Sequence, residues 1–287
     1  MRKLFFIFIV ISALSFILYI PGLEAIQLSV QEGKVRLSIP PGASKSGSIS
    51  VKNTSTEPVD IRVYLEDWRF VSSQDGSKEF KPPGTYPFSC AEWINFSPAE
   101  FNIPPFGKKE VRYMVEVPDG ASGGHYAVMF FESFLSDNTD KENIGVGVAL
   151  RMGSLFYVEP EGTIKREAVL SGLAVKREDS GFALTFNFEN TGNTDIVTEG
   201  SFHIIDKSGM VYARGELSQV YTFPGDKGVL QAQWQEPLPA GKYDLVVTLD
   251  LGKSKEGSGL GKGPLMVKEA MLQVSASGEI LSVGQLK

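Results

Sequence analysis

Cysteine and histidine are almost missing from this chain of 287 residues, which has one of the first and two of the second. A lone Cys90 forms no intrachain disulfide, so the fold has to hold by its cores. His125 and His203 have no second His, Cys or carboxylate at a ligand spacing such as His-x-x-x-His. No Gly-x-Ser-x-Gly elbow supports a serine nucleophile. Cys90 sits between "PFS" and "AEW" without a charged activator. No catalytic residue, no bound metal and no cofactor are therefore expected. Glu92 and Glu100 flank Trp93, but the pattern reads as a strand with its aromatics inward and its glutamates in solvent. The acidic stretch "DNTDKEN", with Asp137, Asp140 and Glu142, lacks the order of a calcium loop.

An excess of basic charge is also absent: 28 Lys and Arg stand against 34 Asp and Glu, a net charge of −6. A chain without a basic block has no patch to match phosphates, which argues against nucleic acid as a partner. Long apolar runs are absent after the first. "MRK" and the run from Leu4 to Ile20, followed by "PGLEA", read as a secretory signal with cleavage after Ala25. The alternative is a retained anchor, since the run approaches bilayer-spanning length. After cleavage no stable membrane span is expected, and the address is periplasmic or extracellular.

Helical periodicity is nearly absent too, and period-two alternation takes its place. "ISVKNTSTEPVDIRVYL" (49–65) and "LTFNFENTGNTDIVTEG" (184–200) align on Asn53 and Asn190, each an alternating strand, a polar turn and a second strand. "FNIPPFGKKEVRYMVEVPDGASGGHYAVMFF" and "YTFPGDKGVLQAQWQEPLPAGKYDLVVTLD" share a second grammar: a proline turn, a strand, then Gly-x-Tyr heading another strand. Duplication of this kind implies two copies of one plan. The predicted fold class is all-β: two immunoglobulin-like antiparallel β-sandwich domains in tandem after a signal peptide. The expected boundaries are 1–25 for the signal, 26–160 and 163–275 for the domains, and 276–287 for a tail. "KSKEGSGLGKGP" (253–264) is a glycine-rich hairpin loop without phosphate-loop spacing.

One stretch raises a functional question. "GVGVALRMGSLFYVEP" (145–160) puts Val146, Val148, Leu150 and Met152 on one side, with Gly147, Ala149 and Arg151 on the other. Buried, each apolar side chain contributes roughly 1.5–3 kcal/mol; on an open edge the same strand invites pairing with another chain. Alternation alone leaves both the core strand and the edge strand open.

Together with "SGSISVKNTSTEPVDIRVYLEDW", "FNIPPFGKKEVRYMVEVP", the signal peptide and the ending "LFYVEP", this strand resembles the two-domain periplasmic chaperones of pilus assembly. The resemblance implies two sandwiches set at an angle with a cleft between them. It also implies strand addition to an incomplete pilin-like subunit. On that reading Val146, Val148, Leu150 and Met152 are the donor residues, and residues 136–143 form the hairpin leading into them. The family anchors its client's terminal carboxylate with two basic residues in the cleft. Here Lys34, Arg36 and Arg151 are the candidates, Ser154 stands where one anchor belongs, and Val158 replaces an arginine of the family. Arg151 has an odd offset from the donor residues and faces away from them unless Gly153 bulges. The chain is also similar to the surface proteins that join WxL-type proteins to the Gram-positive wall, through "AGKY" (240–243). The expected function is a non-enzymatic, secreted chaperone for pilin-like subunits. The alternative is a structural adaptor that binds wall polymer or a partner surface protein.

Overall fold

The computed structural model describes residues 28–135, 148–178, 181–252 and 264–287. The expected signal segment, the expected 136–143 hairpin with its acidic residues, and residues 253–263 of the expected glycine-rich loop lie outside that set. The described chain is all-β, with one short 3-10 turn, Ala91–Trp93, as its helical element. Among the described residues no helix is long and apolar enough to cross a membrane.

The N-terminal sandwich packs two sheets. The first runs β1 (Leu28–Val30), β3 (Ser44–Asn53), β8 (Lys108–Glu116), β6 (Ile94–Ser97). The second runs β2 (Lys34–Ile39), β10 (Val148–Pro160), β9 (His125–Leu135), β4 (Val59–Phe70), β5 (Lys78–Lys81), with β7 (Glu100–Ile103) also paired to β4. Alternation does the work expected of it. In β8, Val111, Tyr113 and Val115 are buried while Glu110, Arg112 and Glu116 are exposed. These residues meet Ile49, Val51, Ile61, Val63, Met129, Phe131, Phe156 and Val158 in one core.

The C-terminal sandwich sets β11 (Ala168–Glu178), β12 (Gly181–Asn190) and β17 (Lys227–Trp234) against a larger sheet. That sheet runs β15 (Val211–Glu216), β14 (Glu199–Asp206), β18 (Gly241–Asp250), β19 (Leu265–Val274), β20 (Ile280–Val283). A two-stranded pair, β13 (Ile196–Val197) with β16 (Tyr221–Thr222), faces the first sandwich. Leu184, Phe186, Phe188, Phe202, Leu245 and Val247 fill this core.

The duplicated turns are built alike. The Asn53 side chain accepts from Ser55 N at 2.9 Å and donates to Glu57 O at 2.7 Å. Asn190 accepts from Gly192 N at 3.0 Å and donates to Thr194 O at 2.9 Å. Both asparagines are fully buried. Each caps a strand end whose orphan backbone groups have no ladder partner.

A third core lies where the sandwiches meet. Trp68, Phe70, Tyr126, Val128, Phe130, Leu155 and Tyr157 cover the outer face of the second N-terminal sheet, and Phe223 enters from the C-terminal sandwich. The Phe223 ring lies 4.5 Å from Tyr126 and 5.4 Å from Trp68, centroid to centroid. Polar bonds frame the rings. The Tyr126 hydroxyl donates to Asp195 Oδ1 at 3.1 Å and accepts from Asp195 N at 2.7 Å. Tyr221 N donates to Gln74 O at 3.1 Å, and Arg69 pairs with Asp226 at 3.3 Å.

This arrangement gives β9 two buried faces. Ala127, Met129 and Phe131 point into the N-terminal core, while Tyr126, Val128 and Phe130 point into the junction. Its counterpart β18 differs: Tyr243, Leu245 and Val247 point into the C-terminal core. The shared Gly-x-Tyr grammar thus places its tyrosines on different surfaces.

Candidate functional site

The site follows from how β10 is paired. On one side it runs antiparallel to β9 without a register shift, from Val148 opposite Leu135 to Val158 opposite His125. On the other side it pairs in parallel with β2, but only from Leu155 opposite Lys34 onward. Among the described residues no strand is hydrogen-bonded to Val148 through Ser154 on that side. The strand is therefore internal over its second half and an edge over its first.

The open half has a defined chemistry. Leu155 N–H donates to Gly33 O at 3.0 Å, so the odd-numbered backbone groups of β10 turn away from β9. By the two-residue period, the amides and carbonyls of Ala149, Arg151 and Gly153 face the open side. The even-numbered side chains point the same way as Phe156 and Val158, toward the space between the sheets. Leu150 and Met152 are half-buried there. Val148 opens the strand with its side chain outside the described set, and Val146 lies outside the described residues. The edge ends sharply, because Ser154 Oγ donates to Glu32 O and the β1–β2 turn closes over Leu155.

The three cations occupy the opposite face. Lys34 is exposed at the start of β2, opposite Leu155, and Arg36 lies opposite Tyr157. The Arg36 guanidinium sits 3.8 Å from the Tyr157 centroid and 3.9 Å from Asp195 Oδ2, with its Nε buried and unbonded. Arg36 is thus committed to the junction. Arg151 lies 4.0 Å from the Phe130 centroid and reaches Tyr64 Oη and Glu66 Oε1, both at 3.4 Å. Gly153 makes this possible. A Cβ there would come within 2.9 Å of Val128 and 3.0 Å of Phe130, the residue opposite it in the ladder. Gly153 does not bulge, so Arg151 stays on the opposite face from Leu150 and Met152.

A fourth cation escaped the sequence reading. Lys78, in β5, has its ammonium pKa lowered, first by burial and then by repulsion from Lys34. Lys78 Nζ donates to Gly76 O at 2.8 Å and lies 5.8 Å from the Phe70 centroid, and no motif in "SKEF" signals that burial.

The residues weighed for catalysis have structural surroundings. Cys90 is fully buried, and burial pushes its thiol pKa well up. The His125 ring packs on Trp93 with 4.2 Å between centroids, its nitrogens near the carbonyls of Ser89 and Ser122. Trp93 itself belongs to the 3-10 turn rather than to a strand. Among the described residues no group of His, Cys, Asp and Glu is placed to hold a metal ion.

No family model matches the chain, and no curated protein matches it. Solved structures do. The class 5 fimbriae chaperone CfaA is similar at 12% identity and a TM-score of 0.48, over 85% of this chain and 98% of its own. A chain of the Salmonella enterica SafA pilin–SafB chaperone complex is similar at 11% identity and a TM-score of 0.42, over 86% of this chain and 97% of its own. The PapD-like domain 7 of human CEP192 is similar at 12% identity and a TM-score of 0.30, over 50% of this chain and 90% of its own.

Proposed function

We propose that the chain is a non-enzymatic periplasmic chaperone for pilus or other surface subunits, which it holds by strand addition along β10. One observation carries this reading: the open edge from Val148 to Ser154, whose outward backbone groups stand beside half-buried apolar side chains. An edge of this kind is a template for a further strand. A partner pairs main chain to main chain with Ala149, Arg151 and Gly153, and its own apolar residues meet Leu150 and Met152. Release follows when a competing strand takes the place.

Ala149→Pro tests the reading. The Ala149 amide faces the open side, so proline removes an outward donor without breaking a bond to β9. The protein from Ile26 onward is purified from its source envelope and examined by native mass spectrometry. The wild type is expected to carry a substoichiometric set of small subunits, and Ala149→Pro to lose them while its circular dichroism is unchanged. A wild type that arrives bound only to wall polymer sinks the chaperone in favour of the adaptor. Equal loading of both proteins rules out the edge.

A further inference from the structure

The duplicated turns disagree at one position. In the C-terminal sandwich, "FPGD" folds back with Asp226 N donating to Phe223 O at 3.0 Å, and Asn190 N donates to Asp226 O at 3.0 Å. In the N-terminal sandwich, "PPFG" does the same: Gly107 N donates to Pro104 O at 2.9 Å, and Asn53 N donates to Gly107 O at 3.0 Å. The bonds equate Phe106 with Gly225. Gly225 has φ +86°, the left-handed region that a proline–glycine turn uses. Phe106 has φ +57°. A bulky residue in that region costs on the order of 1 kcal/mol or more. Its side chain is 64% exposed, beside two exposed prolines and Gly107.

A second cost sits beside it. Lys52 and Lys108 stand directly opposite each other on β3 and β8, an unfavourable like-charge pair. Lys109 is exposed next to them. The neighbouring carboxylates are Glu57, in the loop that Asn53 clamps, and Glu110, 4.0 Å from the Lys108 ammonium. Three lysines and a strained, projecting ring thus stand at one tip, Lys52 and Lys108 on one face of the sheet and Lys109 on the other, in a protein whose net charge is −6. The tip is held firmly, since Asn53 Nδ2 also donates to Ile103 O and Pro104 O, both at 3.2 Å.

We propose that this end of the N-terminal sandwich, centred on Phe106, docks on an anionic lipid surface. A protein partner needs roughly 800 Å² of matched surface on each side, and a convex tip of one ring and two prolines offers far less. A lipid interface needs only that an aromatic ring enter at headgroup depth with cations around it. Each lysine near such a surface contributes about 1 kcal/mol. The inference uses neither β10 nor its partner and stands apart from the chaperone reading.

The test is co-sedimentation of the chain from Ile26 onward, which keeps every described strand, with vesicles at low salt. One set is phosphatidylcholine and the other contains phosphatidylglycerol. The wild type is expected to sediment with the anionic vesicles only. Phe106→Gly should lower that affinity roughly tenfold while raising the urea midpoint, because glycine relieves the strained φ. Phe106→Asn, which also tolerates this φ, should lose the same affinity. Lys108→Gln should cost roughly fivefold. Equal sedimentation of wild type and Phe106→Gly, or no preference for anionic vesicles, overturns the proposal.

Discussion

Phe223 lies flat on Phe88, with 4.8 Å between ring centroids and 5° between ring planes, although the two belong to different sandwiches. The same ring meets Trp68, Phe70 and Tyr126. One side chain therefore joins elements that share no strand. Phe223→Ala should destabilise the protein by about 3–5 kcal/mol. It should also split one calorimetric transition into two, because the contact that makes the sandwiches melt together is gone. A single, merely shifted transition would show that the polar bonds around Tyr126 and Asp195 suffice.

His125 gives a pH dependence whose sign is fixed by burial. Burial lowers its pKa below the ordinary 6.5, and the Ser89 and Ser122 carbonyls oppose this only in part. The unfolded chain then binds a proton at a higher pH than the folded one. The contribution of His125 is thus complete above 6.5 and is lost as pH falls through its folded pKa. Urea midpoints should fall between about pH 8 and about pH 5, and His125→Gln should show a smaller fall over the same interval. Parallel curves for both proteins would assign the dependence to other groups.

Asn190→Ala should cost about 2–3 kcal/mol and Asn53→Ala more, because the Asn53 amide also donates to Ile103 O and Pro104 O. Each removes a buried amide that serves a carbonyl four residues on and an N–H two residues on. Chemical denaturation of the two variants compares them directly. A larger cost at Asn190 would mean that the two extra bonds of Asn53 contribute nothing to stability.

The sequence showed the architecture wherever a single face mattered. Strands β8 and β12 have one buried side, so their alternation was readable, and Asn53 and Asn190 marked the repeated turn. Parity alone separated Arg151 from Leu150 and Met152. The junction was not readable in the same way. Trp68, Phe88, Tyr126, Tyr157 and Phe223 come from separated segments, and period-two patterns report one face of one strand at a time. The run "HYAVMFF" carries a hint, since a strand apolar at successive positions is one with both faces covered. Half of the β10 edge was hidden for a different reason: only the parallel pairing of β2 shows where cover begins, and pairing partners leave no mark within the strand itself.

The β1–β2 turn gives the open edge an end stop. Glu32 and Gly33 already occupy Ser154 and Leu155, so in the proposed strand addition a guest strand pressed along β10 toward the junction would halt against them. On that proposal its position would be fixed by collision with a wall rather than by matching of side chains. Guests of different sequence would then seat at one depth, with any surplus length trailing away from the junction.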